Sequence, residues 1–107
     1  MIQALIMDEK DLSLVRKKSR PVAAMLRDIS HPDRLMILCL LAQGEMTVNA
    51  LEDALNLEQS RVSQHLMRLR AGKHVKVRRV GRMAYYSIAD ARLTSIFNSL
   101  YELYCKV

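Results

Sequence analysis

Hydrophobic residues recur at helical spacing in the first part of the chain. Between residues 11 and 29, four of them fall on one side of a predicted helix: Val15, Val22, Leu26 and Ile29. Pro21 lies in this segment, so the helix either kinks there or begins there with proline in its first turn. A Ser-x-x-Asp sequence that includes proline occupies residues 30–33 and is typical of a capped helix start. It predicts a second helix to about residue 42, with three core-facing residues: Leu35, Leu38 and Leu41.

Two further amphipathic segments are predicted to form a helix-turn-helix. Thr47 is placed to cap a short helix, and Asn56 tolerates the left-handed conformation that a tight turn between helices needs. The following helix covers about residues 59–71 and turns three apolar residues inward: Val62, Leu66 and Leu69. Its outer side is polar and basic. Two helices joined by about four residues in this way are typical of a helix-turn-helix.

The hydrophobic pattern then changes from helical spacing to alternation. Apolar and polar residues alternate over about residues 74–88, with Gly81 between the two runs, which predicts a β-hairpin. From Asp90 a last helix runs to about residue 105, and its apolar residues are Leu93, Ile96, Phe97, Leu100, Leu103 and Tyr104. The order predicts a mainly α fold with a β-hairpin wing, α-α-α-α-β-β-α. This is a winged helix-turn-helix in one domain over residues 1–107.

Positive charge is concentrated in one part of the chain. The chain has 17 basic and 11 acidic residues, and the excess lies between Glu58 and Arg82. The basic residues of that stretch are Arg61, Arg68, Arg70, Lys73, Lys76, Arg78, Arg79 and Arg82. Concentrated positive charge attracts a polyanion, and counterion release from DNA supplies the free energy of binding. Charge alone also fits a basic face that only keeps the protein soluble.

The predicted helix-turn-helix, hairpin and basic stretch coincide, which favours double-stranded operator DNA as the partner. Short polar side chains near the start of a helix reach base edges in the major groove. The candidates for that role are Gln59, Ser60, Arg61, Ser63, Gln64 and His65, of which Arg61 fits a base or a phosphate. The other candidate DNA contacts, to phosphates or the minor groove, are Arg68, Lys73, Lys76, Arg78, Arg79 and Arg82.

The sequence argues against several other classes of protein. No apolar run approaches the roughly 20 residues that span a bilayer, and the N-terminus lacks the features of a secretory signal. We therefore expect a cytoplasmic protein with no membrane partner. No Cys-x-x-Cys, glycine-rich phosphate loop or nucleophile beside a base is present, so we expect no catalytic residues and no enzyme. A protein-interaction module that does not bind DNA remains the alternative, although it would not need the arginine-tipped hairpin.

Three segments resemble the ArsR/SmtB family of bacterial winged-helix repressors: SHPDRLMIL at 30–38, LNLEQSRVSQHLMRLR at 55–70 and VGRMAYYSI at 80–88. The resemblance covers about residues 24–104, and VSQHL is its most specific part. It implies a homodimer paired through the helices at about 11–29 and 90–105, with the helix-turn-helix at 47–71 and the wing at 74–88. It also implies that an inducer releases the operator.

The chain departs from the family at two positions. Glu58 stands where a Ser or Thr helix cap is usual, so we expect a cap that is weaker or is supplied by another group. His74 takes a usually apolar place, and we expect a partly exposed hairpin residue.

The family's usual metal ligands are missing. Residues 48–53 hold no thiolate where one class carries Cys-x-Cys. The positions of the other class correspond to Asp90, Arg92, Leu103 and Lys106, of which only Asp90 is a possible ligand. The three histidines, His31, His65 and His74, lie on different predicted elements without ligand spacing. We therefore expect no metal and no cofactor.

Two cysteines are the remaining candidates for chemistry. Cys39 lies on the second predicted helix and fits a small core residue. Cys105 lies near the end of the chain, where a thiol is accessible and Lys106 favours the thiolate. Position alone does not distinguish a redox pair from two unrelated thiols.

The segments ILCLL and LYC are similar to the sulfur- and redox-responsive branch of the family, the BigR, SqrR and HlyU type. That resemblance implies a pair that reacts with persulfides, polysulfides or another thiol oxidant. Bridging of the pair would then release the repressor from DNA. An alternative within the branch is a HlyU-like activator that displaces a silencing protein.

Overall fold

The computed structural model describes residues 7–106. The elements are α1 Glu9–Ile29, α2 Pro32–Leu41, β1 Met46–Thr47, α3 Val48–Leu55, α4 Gln59–Ala71, β2 Val75–Val80, β3 Met83–Ile88, α5 Ala91–Leu100 and a π-helical turn Tyr101–Cys105. The predicted winged helix-turn-helix is confirmed, with the short strand β1 as an addition. Residues 1–6, which belong to the N-terminus predicted to lack a secretory signal, and residue 107 lie outside the described residues. Over 7–106, no helix has both the length and the apolar character that a bilayer crossing requires.

Helix α1 is continuous through Pro21 and does not begin there. It begins at Glu9, where the Asp8 carboxylate accepts a hydrogen bond from the Asp11 N–H at 2.8 Å. Only Ile29 at its end is buried; the other residues of the predicted apolar side remain exposed. Most of α1 therefore presents an uncovered apolar stripe.

The start of α2 differs from the prediction. The cap is His31, whose Nδ1 accepts from the Asp33 N–H at 3.1 Å, and Ser30 instead ends α1. Because α2 begins at Pro32, directly after His31, the imidazole can reach the N–H of Asp33, which has no partner within the helix. Leu35, predicted to face the core, is exposed, and Ile37 is buried beside Leu38.

The helix-turn-helix agrees closely with the prediction. Thr47 caps α3 by accepting from the Ala50 N–H at 3.1 Å, and Asn56 has the expected left-handed φ of 55°. Glu58 precedes α4 without a side-chain cap, as its departure from the family predicts. Its backbone carbonyl still accepts from the N–H groups of Arg61 and Val62.

The wing belongs to a three-stranded antiparallel sheet with strand order β1-β3-β2. Gly81, with φ of 59°, turns β2 into β3. Met46 and Thr47 of β1 pair with Tyr86 and Tyr85 of β3, so the start of α3 is hydrogen-bonded to the wing. The core beneath is formed by Ile29, Ile37, Leu38, Leu41, Leu51, Val62, Leu66, Leu69, Val75, Leu93 and Phe97.

Candidate nucleic-acid interface and thiol pair

The outer side of α4 is the polar surface that the sequence predicts for base contact. Val62, Leu66 and Leu69 are buried and fix which side of the helix faces the core. On the other side, the exposed predicted residues are Gln59, Ser60, Arg61, Gln64 and Arg68, whereas Ser63 is half-buried. Met67 is also exposed there, although it is not among the predicted contact residues, which all have polar or basic side chains.

His65 does not point outward, and this part of the prediction is wrong. Its side chain is only 12% exposed, and its ring centroid lies 4.5 Å from that of His31. Its Nε2 lies 3.6 Å from an Asp33 carboxylate oxygen, and its Nδ1 lies 3.4 Å from an Arg34 nitrogen. Burial lowers the pKa of His65, and the charges of His31 and Arg34 lower it further. The side chain therefore ties the middle of α4 to the start of α2.

Two of the three histidines, His31 and His65, do share one site, contrary to the expectation from their spacing, whereas His74 lies elsewhere, against Asp28. Ligand atoms of His31, Asp33 and His65 lie within 4.8 Å of one another. In the described structure these ligand atoms make contacts within the protein instead; for example, His31 Nδ1 accepts a hydrogen bond from the Asp33 N–H. The Arg34 guanidinium beside His65 also opposes a second cation at this place.

His74 is buried rather than partly exposed, which corrects the prediction and explains the residue. Its Nε2 donates to an Asp28 carboxylate oxygen at 2.8 Å, and Arg68 Nε lies 3.5 Å from the other oxygen. The hydrogen bond from His74 is the main cause that lowers the pKa of Asp28, while partial burial opposes it. A Cβ at Gly72 would lie 2.5 Å from His74 Nε2 and 2.6 Å from Asp28 Oδ2. The end of α1, the end of α4 and the wing thus meet at one carboxylate.

The basic residues of the wing differ in their partners. Arg78 is paired with Glu45 at 2.6 Å and lies over the Tyr85 ring, 4.7 Å from its centroid. Arg79 and Arg82 are exposed and form no ion pair within residues 7–106. Two exposed lysines, Lys73 and Lys76, precede them.

The two thiols lie on neighbouring elements. Cys39 of α2 is half-buried at a cavity of about 610 Å³, whose other lining residues are Leu40, Gln43, Asn98, Tyr101 and Glu102. Cys105 is exposed at the end of the π-helical turn that begins with Tyr101. Burial raises the pKa of the Cys39 thiol, and negative charge on Cys105 raises it further. The Lys106 amine, which the sequence places beside Cys105, is paired with the Glu102 carboxylate at 3.5 Å.

Large apolar side chains remain uncovered at both ends of the described chain. On α1 they are Leu12, Leu14, Val15, Val22 and Leu26. On the last helix, which is α5 together with the π-helical turn that continues it, they are Ile96, Tyr101, Leu103 and Tyr104. Contiguous exposed apolar surface of this kind usually marks a protein–protein contact.

Comparison with known proteins is consistent with this architecture. The model of the bacterial regulatory protein, arsR family, matches residues 31–71. The biofilm growth-associated repressor of Agrobacterium fabrum is 36% identical over 97 residues, which are 91% of this chain and 83% of that protein. The transcriptional activator HlyU of Vibrio cholerae is 31% identical over 96 residues, 90% of this chain and 89% of that protein.

Solved structures give the same result. The transcriptional repressor BigR from Xylella fastidiosa superposes with a TM-score of 0.83 at 34% identity, over 94% of this chain and 100% of that chain. A homodimeric winged helix-turn-helix domain from Mycobacterium bovis superposes with a TM-score of 0.71 at 30% identity, over 91% of this chain and 86% of that chain.

Proposed function

The chain belongs to the ArsR family of bacterial regulatory proteins, and on this premise we propose that it is a dimeric, thiol-controlled repressor. It is a DNA-binding regulator of transcription and not an enzyme. In the proposed mechanism the dimer binds duplex operator DNA while Cys39 and Cys105 are thiols. It leaves the DNA when sulfur links them.

DNA binding is supported by the side of the molecule that α4 and the wing share. The exposed polar residues of α4 fit the major groove, and Arg79 and Arg82 at the wing tip fit phosphates or the minor groove. Because β1 pairs with β3, backbone hydrogen bonds connect the wing to the start of α3, which packs against α4. One subunit therefore offers a base-contacting helix and a backbone-contacting hairpin together.

The apolar stripes on α1 and the last helix support the proposed dimer. Pairing of these faces buries side chains that are otherwise in water, at about 25 cal/mol for each Å². A two-fold dimer presents two copies of α4 to half-sites about 34 Å apart. Its affinity then depends steeply on how far apart the dimer holds the two helices.

The proposed sensing reaction uses a polysulfide R–S–S–S–R′ as the oxidant. The exposed Cys105 thiolate attacks the central sulfur and releases R′–S⁻, leaving a Cys105–S–S–S–R adduct. The Cys39 thiolate then attacks the transferred sulfur and releases R–S⁻. The product is a trisulfide between the two cysteines, and the polysulfide has been reduced to two thiols. The proton of each cysteine ends on one of the released thiols.

One observation carries this proposal: the Cys39 thiol lies at the cavity between α2 and the last helix, on which Cys105 lies. A sulfur bridge would join these two elements. Since the last helix is also a proposed dimer helix, the bridge would change the separation of the two α4 helices.

The test uses a duplex operator selected from random sequences by the reduced wild-type protein. Fluorescence anisotropy and intact mass are measured for wild type, Cys39→Ser and Cys105→Ser, before and after polysulfide. Wild type is expected to gain one sulfur atom, lose two hydrogens and release the duplex, whereas both variants stay bound. Release by both serine variants, or unchanged wild-type mass and binding, would contradict the thiol mechanism.

The second candidate is a regulator that activates by displacing a silencing protein. It is favoured by the 31% identity to a relative named as an activator. A reporter assay separates the two, because a repressor lowers expression from its promoter in cells without any silencer.

A further inference from the structure

Met67 occupies the outermost side of α4. Ser60, Gln64 and Met67 are spaced at i, i+4 and i+7, so they form one stripe along the helix. The buried residues Val62 and Leu66 lie on the opposite side. Met67 is 68% exposed, and all three stripe residues are open to solvent.

Contacts beside the stripe fix this orientation. His65 and Arg68 are spaced i, i+3 and lie on the same flank of the helix. His65 lies against His31 and Asp33, and Arg68 is paired with Asp28 at the end of α1. Met67 therefore cannot turn inward without breaking these contacts, and its thioether faces the partner of α4.

Met67 is the exposed large apolar residue of α4, whereas Val80 and Met83 are exposed on the wing. Its surroundings differ from those of the exposed apolar residues on the two helices at the ends of the described chain. Those on α1 and the last helix form the stripes assigned to the dimer, whereas Met67 lies between polar and basic residues. The concentrated positive charge around Met67 favours a polyanion as the partner that covers this side of α4. The only apolar group on the major-groove edge of the bases is the 5-methyl of thymine.

We propose that Met67 contacts a thymine methyl in each half-site and makes operator affinity depend on that base. The stripe from Ser60 to Met67 is about 10 Å long at 1.5 Å per residue, which matches about three base pairs. Met67 therefore contacts a base about three pairs from the one that Ser60 faces. This inference rests on the proposed DNA binding and adds to it a determinant of specificity.

The experiment removes each partner of the contact separately. In the selected operator, deoxyuridine replaces thymine at one position of both half-sites at a time, which deletes only the methyl group. Each duplex is titrated with wild type, Met67→Ala and the matched apolar variant Met67→Leu. Circular dichroism melting checks that the variants are folded, and Met67→Gln serves as a second variant of similar length.

At one thymine, we expect methyl removal to weaken wild type about fourfold per half-site, the effect of one buried methyl group. Met67→Ala and Met67→Gln should be insensitive at that position, and Met67→Leu should keep the sensitivity. The methyl effect on wild type minus the methyl effect on Met67→Ala measures the contact itself, because any effect of deoxyuridine on DNA shape is the same for both proteins.

Two failures are distinguishable. If wild type binds no duplex at low salt, the proposed DNA binding fails and this inference fails with it. If wild type binds its operator but every deoxyuridine weakens wild type and Met67→Ala equally, only the Met67 contact is overturned.

Discussion

The imidazole of His74 donates to the Asp28 carboxylate at 2.8 Å, and this contact joins the base of the wing to the end of α1. The two residues are 46 positions apart in the chain. Because α1 carries an uncovered apolar stripe and the wing carries free arginines, the pair lies between the proposed dimer face and the proposed DNA face.

Replacing Asp28 by alanine should destabilise the fold. The variant leaves the buried His74 imidazole without its acceptor, which typically costs about 1–3 kcal/mol of unfolding free energy. Urea unfolding measures it. The double variant Asp28→Ala/His74→Phe should recover much of the loss because no unpaired polar group remains. Equal stability of wild type and Asp28→Ala would show that the pair contributes nothing.

The fold should lose stability as the pH falls below 6.5. Burial and the charges of His31 and Arg34 lower the pKa of His65 from its ordinary 6.5, although Asp33 opposes them. Below pH 6.5 the unfolded chain therefore binds a proton before the folded chain does. The free energy of unfolding therefore decreases as the pH falls from 6.5, and the decrease stops once the pH is below the lowered pKa of His65 in the folded state.

Urea midpoints of wild type and His65→Gln at several pH values between 7.5 and about 5 test this dependence. The glutamine variant should show a flatter profile in this range. Parallel profiles of the two proteins would rule out His65 as the titrating group.

Removing Arg79 or Arg82 should lower the salt dependence of operator binding. Each phosphate contact contributes about 0.9 to the slope of log affinity against log salt, so loss of one arginine per subunit lowers it by about 1.8. Arg92→Ala is the control, since that exposed arginine is paired with Asp90 on α5. Arg79→Ala and Arg82→Ala slopes that match wild type would mean that the wing tip does not contact phosphate.

Replacing Leu26 by glutamate should dissociate the proposed dimer. Leu26 is exposed on the apolar side of α1, so the charge is tolerated in one chain but is buried in the proposed dimer. Sedimentation should give 12.3 kDa for Leu26→Glu and twice that for wild type. Ser13→Glu adds the same charge on the other side of α1 and should remain dimeric. A dimeric Leu26→Glu would place the interface elsewhere.

Local patterns were sufficient to predict most of the fold. The cap at Thr47 and the left-handed Asn56 depend only on neighbouring residues, so the sequence indicates them directly. The Ser-x-x-Asp pattern predicts Ser30 as the cap of α2 from its residue type, but the cap position belongs to His31. The two-residue strand β1 is too short to show alternation and depends on its partner β3.

The misplaced site residues depend on distant contacts. His65 is turned from the outer side of α4 by His31 and Asp33, which lie on another element. His74 is buried because Asp28 accepts its hydrogen bond, and neither partner indicates the other in the sequence. Periodicity shows which residues lie between the buried and the exposed side of a helix. Whether such a side chain turns inward or outward depends on tertiary contacts.

The pairing of β1 with β3 has a consequence for the kinds of operator that this protein tolerates. Backbone hydrogen bonds join the hairpin to the start of α3, so in the proposed complex a shift of the hairpin relative to the helix-turn-helix would disturb this pairing. We therefore expect insertions or deletions of base pairs inside a half-site to weaken binding more than changes in the length of the central spacer, which only the proposed contact between subunits spans.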